Sequence, residues 1–138
     1  MSITKQWYQK KSKYGNKKVT VDGVTYDSVG EHKRFCFLKL LERAGEIKDL
    51  QYHKEFELIP PIRKEIHCKR KNGTTYTRVT NEPRVYEADF TYTIVATGEE
   101  VVEDFKGVET ELFLFKADLF YHLYKKHIKI VKHINEPI

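Results

Sequence analysis

The stretch Val101-Val102-Glu103-Asp104-Phe105-Lys106-Gly107, taken with Ala88-Asp89-Phe90 a short way upstream, decides how this chain is read. Side chains of a strand alternate between faces, so Asp104 and Lys106 are expected on one side and Glu103 and Phe105 on the other. The two valines, and the aromatic and β-branched residues around Asp89, place both acids near the ends of half-buried strands; Gly107 closes the run. Two carboxylates gathered in this way repel unless something positive lies between them, and a hard divalent cation with oxygen ligands is a natural occupant. The plainer alternative is a same-face ion pair of Asp104 and Lys106, with Asp89 an isolated polar residue at a strand end.

Working outward, Val85 to Ala96 reads as the strand carrying Asp89, and Thr97-Gly98 turns it into the strand carrying Asp104. Glu87 is assigned the Asp89 face, as a candidate auxiliary ligand. Ile47 to Ile59 reads as a long strand interrupted by Gln51, His53, Lys54 and Glu55 and stopped by Pro60-Pro61. Between these strands, residues 62–83 form a basic excursion that turns at Asn72-Gly73, an expected two-stranded ribbon. Its Lys69, Arg70 and Lys71 are candidate phosphate contacts; the alternative is a hairpin whose charges only keep it soluble.

Two helices frame the strands. Ser28 as N-cap with Glu31 three residues on opens the first, which carries apolar positions at Phe35, Leu38 and Leu41 and at Phe37, Leu40 and Ala44, and ends at Gly45. Glu31 either closes a capping box or faces the acids of the sheet. Asp22-Gly23 marks a small hairpin just before this helix. Glu111 to Lys126 reads as the second helix, with Leu112, Phe115, Leu119 and Leu123 as its buried stripe. Lys116 lies on its flank, where the side chain either snorkels to water or reaches phosphate. Ile128 to Ile134 alternates as a last strand.

The 138 residues, 40% hydrophobic and 13% aromatic, fit one domain over 18–138 behind a basic, flexible arm over 1–17. That arm and the residue after it contribute Lys10, Lys11, Lys13, Lys17 and Lys18 as candidate nucleic-acid contacts, a flexible tail being compatible with that role. A net charge of +5 points to a polyanionic partner. Cys36 and Cys68 follow no metal or redox spacing and read as thiols of a reducing compartment, Cys36 on the apolar side of its helix. Without a signal-peptide core or a span of membrane length, a soluble, cytoplasmic protein is expected, with no membrane partner.

The order is helix, three strands, helix, strand, with acids at Glu31, Asp89 and Asp104-x-Lys106. It resembles the PD-(D/E)XK nuclease superfamily, whose restriction-endonuclease-like αβββαβ core is an α/β (α+β) fold, a mixed sheet flanked by helices. More narrowly, Lys13-Tyr14-Gly15-Asn16-Lys17, Tyr26-Asp27-Ser28-Val29-Gly30-Glu31, Ala88-Asp89-Phe90 and Val102-Glu103-Asp104-Phe105-Lys106-Gly107 look like a small family of phage- and prophage-encoded endonucleases. The likeness runs from about Lys13 to the last strand. It implies Glu31, Asp89 and Asp104 as catalytic metal ligands with the Phe105 carbonyl adding another, and Lys106 as the residue that orients or activates the attacking water. The implied cofactor is Mg2+, with Mn2+ as a substitute, and the implied partner is DNA, linear or branched as in a Holliday junction. A chain this small carries one site, so cutting both strands implies a homodimer in a bacterial host cell. Ala88 stands where the superfamily's name has proline, and Lys116-x-x-x-Phe120 replaces a glutamine and a tyrosine of some relatives. The competing expectation is a non-catalytic nucleic-acid-binding protein that uses the arm and ribbon.

Overall fold

The computed structural model describes residues 17–26 and 28–138. Lys10, Lys11 and Lys13 of the basic arm lie outside the described residues. The chain opens with the hairpin β1 (Val19–Val21) and β2 (Val24–Tyr26), turned by Asp22 and Gly23, both at positive φ. Helix α1 (Val29–Arg43) follows, and the Ser28 hydroxyl accepts the Glu31 N–H at 3.1 Å. At its far end Gly45 takes a φ of +77°, and the N–H groups of Gly45 and Glu46 reach back to the carbonyls of Glu42 and Leu41. This left-handed stop satisfies orphan helix carbonyls at no Cβ cost.

A four-stranded mixed sheet forms the centre. Its strands are β3 (Ile47–Ile59), β6 (Arg84–Ile94), β7 (Glu100–Phe105) and β8 (Lys129–Val131), in that spatial order. The first three run antiparallel to their neighbours, and β8 joins β7 in parallel through helix α2 (Glu111–Tyr124). The basic excursion forms a separate ribbon, β4 (Lys64–Lys69) and β5 (Thr75–Thr80). The architecture is therefore the expected mixed α/β core, with β8 shorter than the alternation of Ile128 to Ile134 suggested.

Each face of the sheet has its own core. Leu38 of α1 packs with Ile47, Phe90, Tyr92 and Val101 on one side. Phe113 and Phe120 of α2 pack with Leu58, Tyr86, Ala88 and Val102 on the other. Tyr86 and Ala88 thus serve one layer while Phe90 and Tyr92, of the same strand parity, serve the opposite one, so β6 turns its faces over at Asp89. Strand β3 bends with it: His53 sits at φ +53°, between the pairs Tyr52–Phe90 and Lys54–Ala88.

Both helices differ from their expected stripes. The face of α2 that packs inward is Phe113, Ala117 and Phe120, while Leu112, Phe115 and Leu123 are exposed. Leu40 of α1 is exposed as well, and Cys36 lies on the solvent side, its sulfur 3.7 Å from His32. In place of further apolar contacts α1 buries Arg34 completely.

Candidate metal centre

An open cleft of about 800 Å³ runs between the start of α1, the first half of β6, the end of β7 and the first turns of α2. Glu31, Glu87, Asp89, Asp104, Phe105, Lys106 and Lys116 all line it. Asp104 sits near the end of β7 as expected, whereas Asp89 lies midway along β6, paired with β3 on both sides and left open only toward β7. Ladder pairing between β6 and β7 stops at Phe90 and Glu103, and beyond it the Phe105 N–H donates to the Asp89 carboxylate at 2.7 Å. A side chain therefore completes what the backbone ladder leaves unpaired.

Glu31 reaches the same place because α1 begins tight against β7. Gly30 touches the strand so closely that a Cβ there would lie 2.6 Å from the Phe105 ring. The helix end is fixed by Ser28, and the Glu31 carboxylate meets His53 Nε2 at 2.8 Å. Among the described residues, Glu31, His53 and Asp89 offer ligand atoms that all lie within 4.8 Å of one another. Asp104 stands beside this trio. Its Oδ2 accepts from the Tyr86 hydroxyl at 2.8 Å, and Lys106 Nζ lies 2.9 Å from its Oδ1. That ammonium contact is off hydrogen-bond geometry, which leaves Oδ1 a buried oxygen with no hydrogen bond. Lys106 is also seated on the Phe113 ring, 4.4 Å from its centroid.

The electrostatics follow from this crowding. Glu31 and Asp104 are 3% and 2% exposed. Burial, reinforced by the charges of Asp104 and Glu31, pushes the Asp89 carboxyl up to about 8, against the opposing pull of the Phe105 N–H and Lys106. Burial beside Asp104 likewise drives the Tyr86 hydroxyl well above its ordinary range, so it stays a proton donor to that carboxylate. The buried Glu31 and Asp104 and the half-buried Asp89, with one Asp104 oxygen lacking a hydrogen bond, are a donor set suited to a small divalent cation.

The remaining expected contacts lie elsewhere. Lys69, Arg70 and Lys71 are exposed on the ribbon, outside the cleft, with Arg70 stacked over Tyr76 at 4.5 Å. Lys17 and Lys18 are exposed just before β1. Lys116 is half-buried at the cleft rim. Sequence reasoning missed His53, which it took for one of several polar interruptions of β3. Its signal was its place across from Asp89, legible only once the β3–β6 register is drawn.

No helix among the described residues is long and apolar enough to cross a membrane. No curated protein and no solved structure matches the chain. A family model described as Protein of unknown function (DUF1064) matches residues 11–135, and the chain belongs to that family.

Proposed function

We propose that this protein is a magnesium-dependent endodeoxyribonuclease of the PD-(D/E)XK kind, hydrolysing phosphodiester bonds of linear or branched DNA inside a bacterial cell. The observation that carries the reading is Lys106 Nζ at 2.9 Å from the buried Asp104, with Asp89 and Glu31 in the same cleft. A protein that only binds DNA has no use for three acids, two of them buried, facing a phosphate.

Asp89, Asp104 and the Phe105 carbonyl would hold the ion, with Glu31 alongside. Magnesium bound there would offset charge on the phosphoryl oxygens and acidify a water. Tyr86 fixes the Asp104 carboxylate by donating to Oδ2. Lys106, positioned by Asp104 and the Phe113 ring, donates to the attacking water or to a phosphoryl oxygen. Lys116 contributes charge at the rim, and the ribbon residues Lys69, Arg70 and Lys71 hold the DNA backbone at a distance from the cut. Cutting both strands would take a homodimer, for which the exposed Leu112 and Phe115 of α2 supply apolar surface.

The test incubates the protein, Asp104→Asn and Lys106→Ala with linear, nicked and four-way-junction DNA, with and without magnesium. Cutting is expected only with metal, and to fall about 100-fold or more in each variant while DNA binding persists. Cutting without metal, or variants as active as the parent, would remove the enzymatic reading. Tight binding by the parent without any cutting would favour a non-catalytic binder, for which the exposed basic ribbon speaks.

A further inference from the structure

We infer that Glu31, His53 and Asp89 form a second cation position, sharing Asp89 with the oxygen-only position at Asp104, and that its imidazole nitrogen makes it a site for a first-row transition ion such as Mn2+ rather than for Mg2+. The inference rests on the proposed function only in taking the cleft as a place where a divalent cation binds.

Geometry supplies the first support. Ligand atoms about 2.1 Å from one ion stand about 3 Å apart when adjacent and about 4 Å apart when opposite. The three side chains already sit within 4.8 Å of one another, so small rotamer adjustments bring them to one ion. His53 Nε2 and Glu31 Oε1, 2.8 Å apart, have the spacing of adjacent ligands.

The surroundings of the histidine supply the second. Its other ring nitrogen, Nδ1, faces Glu87 Oε1 at 4.0 Å, beyond hydrogen-bond length, so the exposed Glu87 side chain must close in to accept from it. A ligating histidine commonly donates its remote N–H to a carboxylate, which fixes the tautomer and raises the basicity of the ligating nitrogen. His53 is also held at a positive φ in the middle of a strand, an unfavourable conformation for a residue with a Cβ, and that backbone turn directs the ring toward Glu31. A third support lies next door, where the 2%-exposed Asp104 keeps an oxygen without a hydrogen bond, met only by the Lys106 ammonium at 2.9 Å among the described residues.

Chemistry then selects the ion. Magnesium prefers oxygen ligands and keeps several waters, whereas imidazole favours the first-row transition ions over magnesium. A nitrogen among two carboxylates therefore biases this position away from magnesium without excluding it from the oxygen-only position.

The test uses the full-length, metal-free protein and requires no DNA. Mn2+ and Mg2+ affinities are measured by calorimetry on the parent and on His53→Asn, a replacement that tolerates the same backbone turn. Pulsed electron paramagnetic resonance of bound Mn2+ reads directly coordinated nitrogen. The parent is expected to bind Mn2+ about tenfold or more tightly than Mg2+ and to show a nitrogen coupling. His53→Asn is expected to lose the coupling and about tenfold in Mn2+ affinity, with Mg2+ affinity nearly unchanged. Absence of nitrogen coupling in the parent, an equal loss for both ions, or no binding of Mn2+ would overturn the inference. The parent's spectrum decides the matter even where the variant folds poorly. Nitrogen-coupled Mn2+ in a protein that cuts no DNA would leave this site standing and sink the nuclease reading, whereas metal-dependent cutting without the coupling would do the reverse.

Discussion

Arg34 donates two hydrogen bonds to Glu103, 2.6 and 2.9 Å long, between side chains that are both completely buried. Tyr92 adds its hydroxyl to Glu103 at 2.7 Å, and Arg34 Nη1 donates to the carbonyls of Ile134 and Glu136. Glu103 points away from the cleft that its neighbour Asp104 lines, as strand alternation requires. Removing one partner strands the other as a buried charge, so Glu103→Ala is expected to cost about 3–5 kcal/mol, whereas replacing both with apolar residues of similar volume costs far less. Denaturant unfolding of Glu103→Ala and of Arg34→Met with Glu103→Leu checks the difference.

Gly30→Ala places a methyl carbon 2.6 Å from the Phe105 ring. The expected outcome is a loss of about 1–3 kcal/mol from overpacking, together with weaker binding of divalent cations as Glu31 is levered away from Asp89. Trimming the ring with Phe105→Leu in the same chain is expected to recover part of both, as read by thermal melts with and without added Mn2+.

The raised Asp89 carboxyl gives the metal-free protein a particular pH profile. The folded value of about 8 lies above the ordinary 3.8, so between roughly these limits the folded state holds a proton that the unfolded state has released. Stability from this group is therefore full below about pH 4 and is lost as the pH rises toward 8. Asp89→Asn is expected to flatten that decline, and a bound cation to displace the proton and reverse the penalty. Melting temperatures from pH 5 to 9, with and without metal, test both signs.

Alanine at Lys69, Arg70 and Lys71 together is expected to weaken duplex DNA binding and to reduce the slope of log affinity against log salt by about 2 to 3. Metal affinity is expected to stay unchanged, since the ribbon lies outside the cleft. A salt titration by fluorescence anisotropy makes the comparison.

Much of this molecule was legible from local chemistry. The Asp22-Gly23 turn, the Ser28 cap, the Gly45 stop and the placement of Asp89 and Asp104 on neighbouring strands each follow from a short run of residues. The buried face of α2 did not. Glu111–Tyr124 is apolar on more than one side, so Leu112-Phe115-Leu119-Leu123 and Phe113-Ala117-Phe120 both satisfy a helical period. The choice between them is made by where Tyr86 and Leu58 of the sheet stand. His53 was hidden for a similar reason. Its partners depend on β-bulges that shift register between Lys48 and Gln51 and on the turning of β6 at Asp89, neither of which leaves a mark in the sequence. Arg34, on the helix face that carries Leu38, gave no sign that a glutamate 69 positions later would answer it.

That guanidinium also ties the timing of assembly to synthesis. Two of its hydrogen bonds go to carbonyls 100 and 102 positions further along the chain. While the protein emerges from the ribosome, the opening helix can coil but cannot finish its polar wiring until residues 134–136 have emerged, so this step of folding waits for a segment about 100 positions downstream.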